Sequence, residues 1–127
     1  MKNSILPIFL ATVWITCSEF LRNEILFKEL WVERFQSLGL TFQTLPINGI
    51  LWTVWSFLLA LIIFKLLQKY SWQETLLFSW IPSFLMMWIT IYNLQVLPLP
   101  LLAVAFPLSL VEVGVAIAIL QFFKKKI

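Results

Sequence analysis

"TLLFSWIPSFLMMWITIYNLQVLPLPLLAVAFPLSLV", Thr75 to Val111, contains no aspartate, glutamate, lysine or arginine from end to end. A helix crosses the hydrocarbon core of a bilayer in about 20 residues, so one crossing cannot use up this stretch. Within it, "VLPLPLL" sets Pro98 and Pro100 two positions apart. Each proline removes a backbone donor and crowds the preceding turn, so the helix breaks there and the chain turns at the bilayer surface. The stretch therefore reads as one span, a tight turn and the start of another. Phe35 to Phe64 is equally free of charge and must hold a further span. With the apolar run that begins at Ile5, the spacing predicts helices over 5–23, 46–67, 75–96 and 99–123, joined after the first by an amphipathic connection over 24–45. The expected fold is an all-α integral membrane protein: four transmembrane helices in an antiparallel bundle, with an amphipathic extramembrane helical segment after helix one. The whole chain, 1–127, is expected to be one domain.

Composition bounds the rest. Of 127 residues, 61% are hydrophobic and 12% charged, with a mean hydropathy of +0.95, too little charge to build a water-facing skin around so much apolar surface. There is no room for a soluble catalytic domain. The single cysteine, Cys17, excludes an intramolecular disulfide, and the absence of histidine removes imidazole metal ligands and every His-based mechanism. No Gly-rich phosphate loop, HExxH, GxSxG or paired-aspartate motif occurs, so no enzyme activity, cofactor or metal is expected. The net charge of +3 is supplied by Lys124, Lys125 and Lys126, which follow an apolar stretch and read as a membrane flank rather than a nucleic-acid patch.

The start, "MKNSILPIFLATVWITC", has the look of a signal peptide, but no A-x-A site follows, and it reads as the first span. Lys2, Lys65, Lys69 and the C-terminal lysines fall on one side of a four-span model, whereas Arg22, Lys28 and Arg34 on the other are diluted by Glu24, Glu29 and Glu33. Positive flanks are retained in the cytoplasm, so both termini are expected there, in a bacterial cytoplasmic (inner) membrane. In the connection, Leu26, Phe27, Leu30 and Leu38 share one arc, and Glu24 and Lys28 make an i,i+4 pair. It is either a surface helix or an extension of helix one, with Arg34 intruding on the apolar arc. Gly39 should end it, and Pro46 suits the first turn of helix two.

On each span, residues spaced i, i+4, i+7, i+11 share a face. Thr12, Thr16, Glu19 and Asn23 line up on helix one, and Gly49, Thr53, Ser56 and Ala60 on helix two. Helix three offers Ser79, Ser83, Met86, Thr90 and Asn93; helix four offers Ala105, Ser109, Glu112 and Ala116. In lipid, small residues and hydroxyls face other helices, so four such stripes imply one shared polar interior. "TCSEFLRNE", Thr16 to Glu24, then places Glu19 inside while Arg22, Asn23 and Glu24 mark the helix leaving the hydrocarbon. At about 1.5 Å per residue, Glu19 should lie about 20 Å and Glu112 about 10 Å from the cytoplasmic edge, on separate levels. Glu112, with no basic residue at its level, is expected to be a neutral, hydrogen-bonded acid, and Glu19 to pair with Arg22. Pro82 and Pro107 should kink their spans. Trp31, Trp52 and Trp72 suit an interfacial belt; Trp14, Trp55, Trp80 and Trp88 lie deeper and should pack.

Four short spans with a glutamate, Glu19, in the first superficially resemble the small multidrug resistance exporters. In "CSEFLRN", however, Phe20, Leu21 and Arg22 stand where that family has small residues, and a long charged connection follows where it has short loops. The family is not assigned on these residues. Two functions remain open. One is a transporter or channel moving protons or a small cation through the polar interior, as a homo-oligomer, with Glu19, Arg22, Asn23, Thr53, Ser83, Thr90, Asn93, Ser109 and Glu112 as the polar core. The other is a non-catalytic subunit or assembly factor of a larger membrane complex. The partner in either case is the lipid bilayer, and no nucleic acid is expected.

Overall fold

A computed structural model describes residues 2–124. Lys125 and Lys126, and the side chain of Lys2, on which the charge reading of the flanks also rests, lie outside what it describes. Among the described residues every regular element is helical. After a 3-10 turn at Lys2–Ser4 come α1 (Ile5–Phe20), a π-helical turn (Leu21–Leu26) and α2 (Lys28–Ser37). Then follow α3 (Pro46–Leu66), α4 (Trp72–Trp80), a second π-helical turn (Ile81–Leu85) and α5 (Met86–Asn93). A 3-10 turn at Leu99–Leu101 leads into α6 (Leu102–Lys124). Run together across the π turns, these make 4 helices long and apolar enough to cross a membrane: Ile5–Leu26, Pro46–Leu66, Trp72–Asn93 and Leu99–Lys124.

Local chemistry explains the ends. Gly39 takes φ 72°, and the amides of Gly39 and Leu40 reach back to the carbonyls of Gln36 (3.0 Å) and Phe35 (2.9 Å), a Schellman cap that stops α2 where the glycine predicted. Pro46 opens α3, and the Asn48 side chain accepts from the Leu45 amide at 3.0 Å. The third span begins at Trp72 rather than Thr75, because Ser71 and Glu74 form a reciprocal capping box: Ser71 N–H to Glu74 Oε2 at 2.9 Å, Glu74 N–H to Ser71 Oγ at 3.3 Å. Between the last two spans, Gln95 has φ 63° and the diproline segment follows, with Leu97 and Leu101 buried. Arg34 is half-buried. Its Nε donates to the Gln95 carbonyl at 2.8 Å, tying α2 to this turn.

The long helices pack with α1 against both α3 and α6, and with α4 against α3 and α6. Ala11, Ile15, Ala60, Ile63, Val113 and Ile117 fill the centre of one half. Phe84, Trp88, Leu101 and Ala105 fill the other. The connection is neither a simple extension of helix one nor a free surface helix. Phe27 (φ −121°, ψ 15°) breaks the rod, and Phe27, Leu30 and Trp31 turn onto the core, leaving Leu26 and Leu38 exposed.

The expected polar faces hold on two helices and fail on two. On α1, Thr12 and Glu19 are buried; on α6, Ala105, Ser109, Glu112 and Ala116 are all buried. On α3, Ser56 and Ala60 are buried, but Thr53 is exposed and bonded to its own helix at Gly49 O. The third span changes face at the π turn. Up to Ser79 the buried positions follow the expected stripe, whereas beyond it Phe84 and Trp88 point inward and Met86, Thr90 and Asn93 outward. A π turn inserts one residue into the helical count and rotates everything after it by about 100°. Pro82, within that turn, cannot donate the usual backbone bond, which gives the turn its reason. Pro107 produces no such break: α6 runs through it as one helix.

Candidate functional site

Both π turns meet at one side chain. Arg22 lies in the first, and its guanidinium carbon stands 5.4 Å from the ring centroid of Phe84, in the second. Arg22 is 5% exposed, Glu19 3% and Glu112 0%. Arg22 Nη2 donates to Glu19 Oε1 in a close ion pair, and Arg22 Nη1 stands 3.8 Å from Glu112 Oε1. Glu19 and Arg22, three positions apart, share one face of the helix, and the π turn begins between them at Leu21.

Glu112 therefore does have a basic neighbour, contrary to the sequence reading, and the two carboxyls share one level. Helix α6 continues unbroken to Lys124, whose Nζ bonds Leu67 O at the end of the second span (2.7 Å). Counted from that end, Glu112 lies about 18 Å along its helix and Glu19 about 21 Å along its own from Ile5. Trp14 sets the register by donating from Nε1 to the Glu112 carbonyl oxygen at 2.9 Å. The expected end at 123 already puts Glu112 about 16–17 Å along the fourth helix at that rise, so the separate levels came from undercounting the residues between 112 and the helix end.

The Glu19 side is saturated. Asn23 Nδ2 donates to Glu19 Oε2 (2.9 Å) and to the Glu19 carbonyl (3.1 Å), and Trp31 Nε1 donates to Asn23 Oδ1 (3.1 Å). The Glu112 side is not. Neither Glu112 carboxyl oxygen has a hydrogen bond, nor does Arg22 Nη1, although all three atoms are buried. Beside the Glu112 carboxyl stand Arg22, the Glu19 carboxyl and the Ser18 hydroxyl. Burial of a polar atom without a partner costs about 1–3 kcal/mol, and more for a charge.

On the Glu19 side of the cluster lies a cavity of about 450 Å³. Glu19, Arg22 and Asn23 form its floor, Trp31, Trp52 and Trp88 part of its wall, and Thr41, Phe42 and Gln43 cross its mouth. Phe42 is stacked on Trp31 at 6.2 Å and 11°, so the segment after α2 is held over the opening by an aromatic contact. A smaller space of about 190 Å³ adjoins it, sharing Glu19, Asn48 and Trp52 and passing between α1 and the start of α3 beside Phe20 and Leu45. Phe20 and Leu45 are exposed on the outer face.

Toward the end that carries Ile5 and Lys124, the interior closes. Ala11, Ile15, Ile63, Ile117 and Leu120 are buried there. Three of the hydroxyls among them are turned onto their own helices, Thr12 to Ile8 O (2.8 Å), Ser56 to Trp52 O (2.8 Å) and Ser79 to Thr75 O (2.6 Å), whereas the buried Thr75 hydroxyl has no such bond. The polar interior is a recess that ends at the charged cluster.

Of the residues singled out from sequence, Glu19, Arg22, Asn23 and Glu112 come together. Ser109 is buried but serves packing, accepting from Trp80 Nε1 at 2.8 Å and donating to Phe106 O. Ser83 is half-buried, and Thr53, Thr90 and Asn93 stand outside the cluster. The expected interfacial tryptophans Trp31 and Trp52 prove to be cavity walls, while Trp80 and Trp88 pack as expected. Phe84 and Asn48 gave no signal in the sequence, and Trp14, expected to pack, gave none of its bond to the Glu112 carbonyl, since each depends on which helices become neighbours. In comparisons with known proteins, no family model, no curated protein and no solved structure matches the chain.

Proposed function

We propose that the chain is an integral membrane transport protein that moves protons or a small cation, with Glu112 as the proton carrier. In this reading the four long helices form an antiparallel bundle across a bilayer, with both termini cytoplasmic, as the lysines at 65, 69 and 124 suggest. One observation supports it above the rest: a fully buried carboxyl, Glu112, shares a single guanidinium, Arg22, with a second buried carboxyl, Glu19. Two carboxylates and one guanidinium leave one negative charge uncompensated, and an intramembrane charge costs about 2.5–3.5 kcal/mol even on lenient scales. The cluster therefore holds one proton or one cation more than its own side chains supply.

Acid-loaded proteoliposomes supplied externally with monovalent inorganic and organic cations test this with a trapped pH dye. Wild-type protein should release protons, and Glu112→Gln, folded by circular dichroism and gel filtration, should not. A folded Glu112→Gln protein that carries protons as wild type does would overturn the reading.

A further inference from the structure

We infer that the 450 Å³ cavity is a site for a monovalent organic cation, and that Arg22 exchanges such a cation for the Glu112 proton by moving from Glu19 to Glu112. The inference rests on the proton-carrier reading above and names its counter-substrate. The lining supplies the chemistry. Glu19, Glu24 and Arg22 face the cavity and among the described residues no lysine lines it; Glu24 stands 3.9 Å from Lys28 outside it, so one negative charge faces the cavity uncompensated once Arg22 leaves Glu19. Trp31, Trp52, Trp88, Phe35 and Phe42 provide π faces, which attract an alkylated ammonium that carries few hydrogen-bond donors. The volume lies within the range of about 300–1,000 Å³ usual for small-molecule sites.

Arg22 decides when the site is available. In the structure it is committed to Glu19, which is saturated by Arg22 and Asn23 and has little left to offer a cation. Its other terminal nitrogen, Nη1, is unbonded and 3.8 Å from the equally unbonded Glu112 Oε1, so a displacement of about 1 Å converts that gap into a hydrogen bond. With Glu112 protonated, Arg22 and Glu19 neutralise each other and the cluster carries no net charge. When Glu112 releases its proton to water, Arg22 is drawn to the new carboxylate and Glu19 is left facing the cavity. A cation then takes Arg22's place on Glu19, and the total charge of the cluster with its occupant is again zero. One cation enters for each proton that leaves, and no bond other than Glu112 O–H is broken.

The only charged groups acting on Glu112 among the described residues are Glu19 and Arg22, with the Ser18 hydroxyl beside them. The other helices packed on α6 add none to the interior: α3 has Lys65 and α4 has Glu74, both exposed. The adjoining passage between α1 and α3, beside Phe20 and Leu45, gives a cation with an apolar body a lateral way in.

The test uses the full chain in detergent, benzyltrimethylammonium as probe, and neopentylbenzene as its neutral isostere. Binding is read from the tryptophans of the cavity wall, and proton release from a weakly buffered dye. Expected are tighter binding of the cation as pH rises, about tenfold per pH unit with one proton released per cation below the titration and levelling off with no proton released above it, and no pH dependence for the isostere. Glu112→Gln should hold Arg22 on Glu19, weaken the cation and abolish the pH dependence, while leaving the isostere unchanged. Equal binding of cation and isostere at every pH, or a pH dependence that survives Glu112→Gln, overturns the inference. If the cation fails to bind but liposome proton flux still requires Glu112, the counter-substrate falls and the carrier stands. If flux is indifferent to Glu112, the carrier itself falls.

Discussion

Replacing Arg22 with methionine removes the positive centre of the cluster and keeps most of its apolar bulk. Glu19, 3% exposed, then retains Asn23 as its donor but loses its counter-charge, and Glu112 loses the nearest cation at 3.8 Å. Removing one partner from a buried ion pair costs about 3–5 kcal/mol, because the survivor is left charged without compensation. The loss of contact with Phe84 adds about 0.5–2 kcal/mol. Part of the penalty is relieved as the site relaxes around the methionine, so a net destabilisation of about 3–4 kcal/mol is expected near neutral pH. The double variant Glu19→Gln with Arg22→Met leaves no unpaired charge on that helix and should recover about 2 kcal/mol or more, since neutral replacement of a whole buried pair is often tolerated. Unfolding by a denaturing detergent titrated into mild micelles, followed by tryptophan emission, measures both. An Arg22→Met protein within about 0.5 kcal/mol of wild type would refute the reasoning, as would a double variant no more stable than the single.

Three further outcomes follow from packing. Ser56→Leu, at a position with no exposure, should cost about 1–3 kcal/mol by overpacking, whereas Thr53→Leu, one turn away on the exposed face, should stay within about 0.5 kcal/mol. The same unfolding titration compares them, and the reverse order would mean that α3 presents its other face. Trp80→Phe keeps the ring contacts with Trp88 and Phe106 but removes the 2.8 Å bond to Ser109, for an expected loss of about 1 kcal/mol. Gly39→Ala, at φ 72°, should cost about 1–2 kcal/mol, and amide exchange should quicken in α2 more than in α3, because the strain sits in the cap of α2.

The helices were legible because their cause is local. Proline spacing at 98 and 100, the charge-free stretches and Gly39 each act within a few residues, and the ends of the long helices fall within three residues of expectation. Polar faces were legible where the helix kept a constant period, as along α1 and α6. They were lost where it did not. Thr90 and Asn93 lie beyond a π turn that no period of 3.6 anticipates, and Thr53 lies on the exposed side of α3.

From the amino acids alone came four apolar rods, where they begin and end, and the presence of Glu19 and Glu112 on the inner faces of two of them. These follow from hydropathy and from backbone chemistry that each segment carries with it. Only tertiary structure could decide that one guanidinium stands between the two acids. That depends on the turn at Leu21–Leu26, on the register Trp14 sets against α6, and on distances of a few ångströms between residues ninety positions apart. Interactions of that range are indifferent to sequence separation and exist only once the helices have been placed side by side.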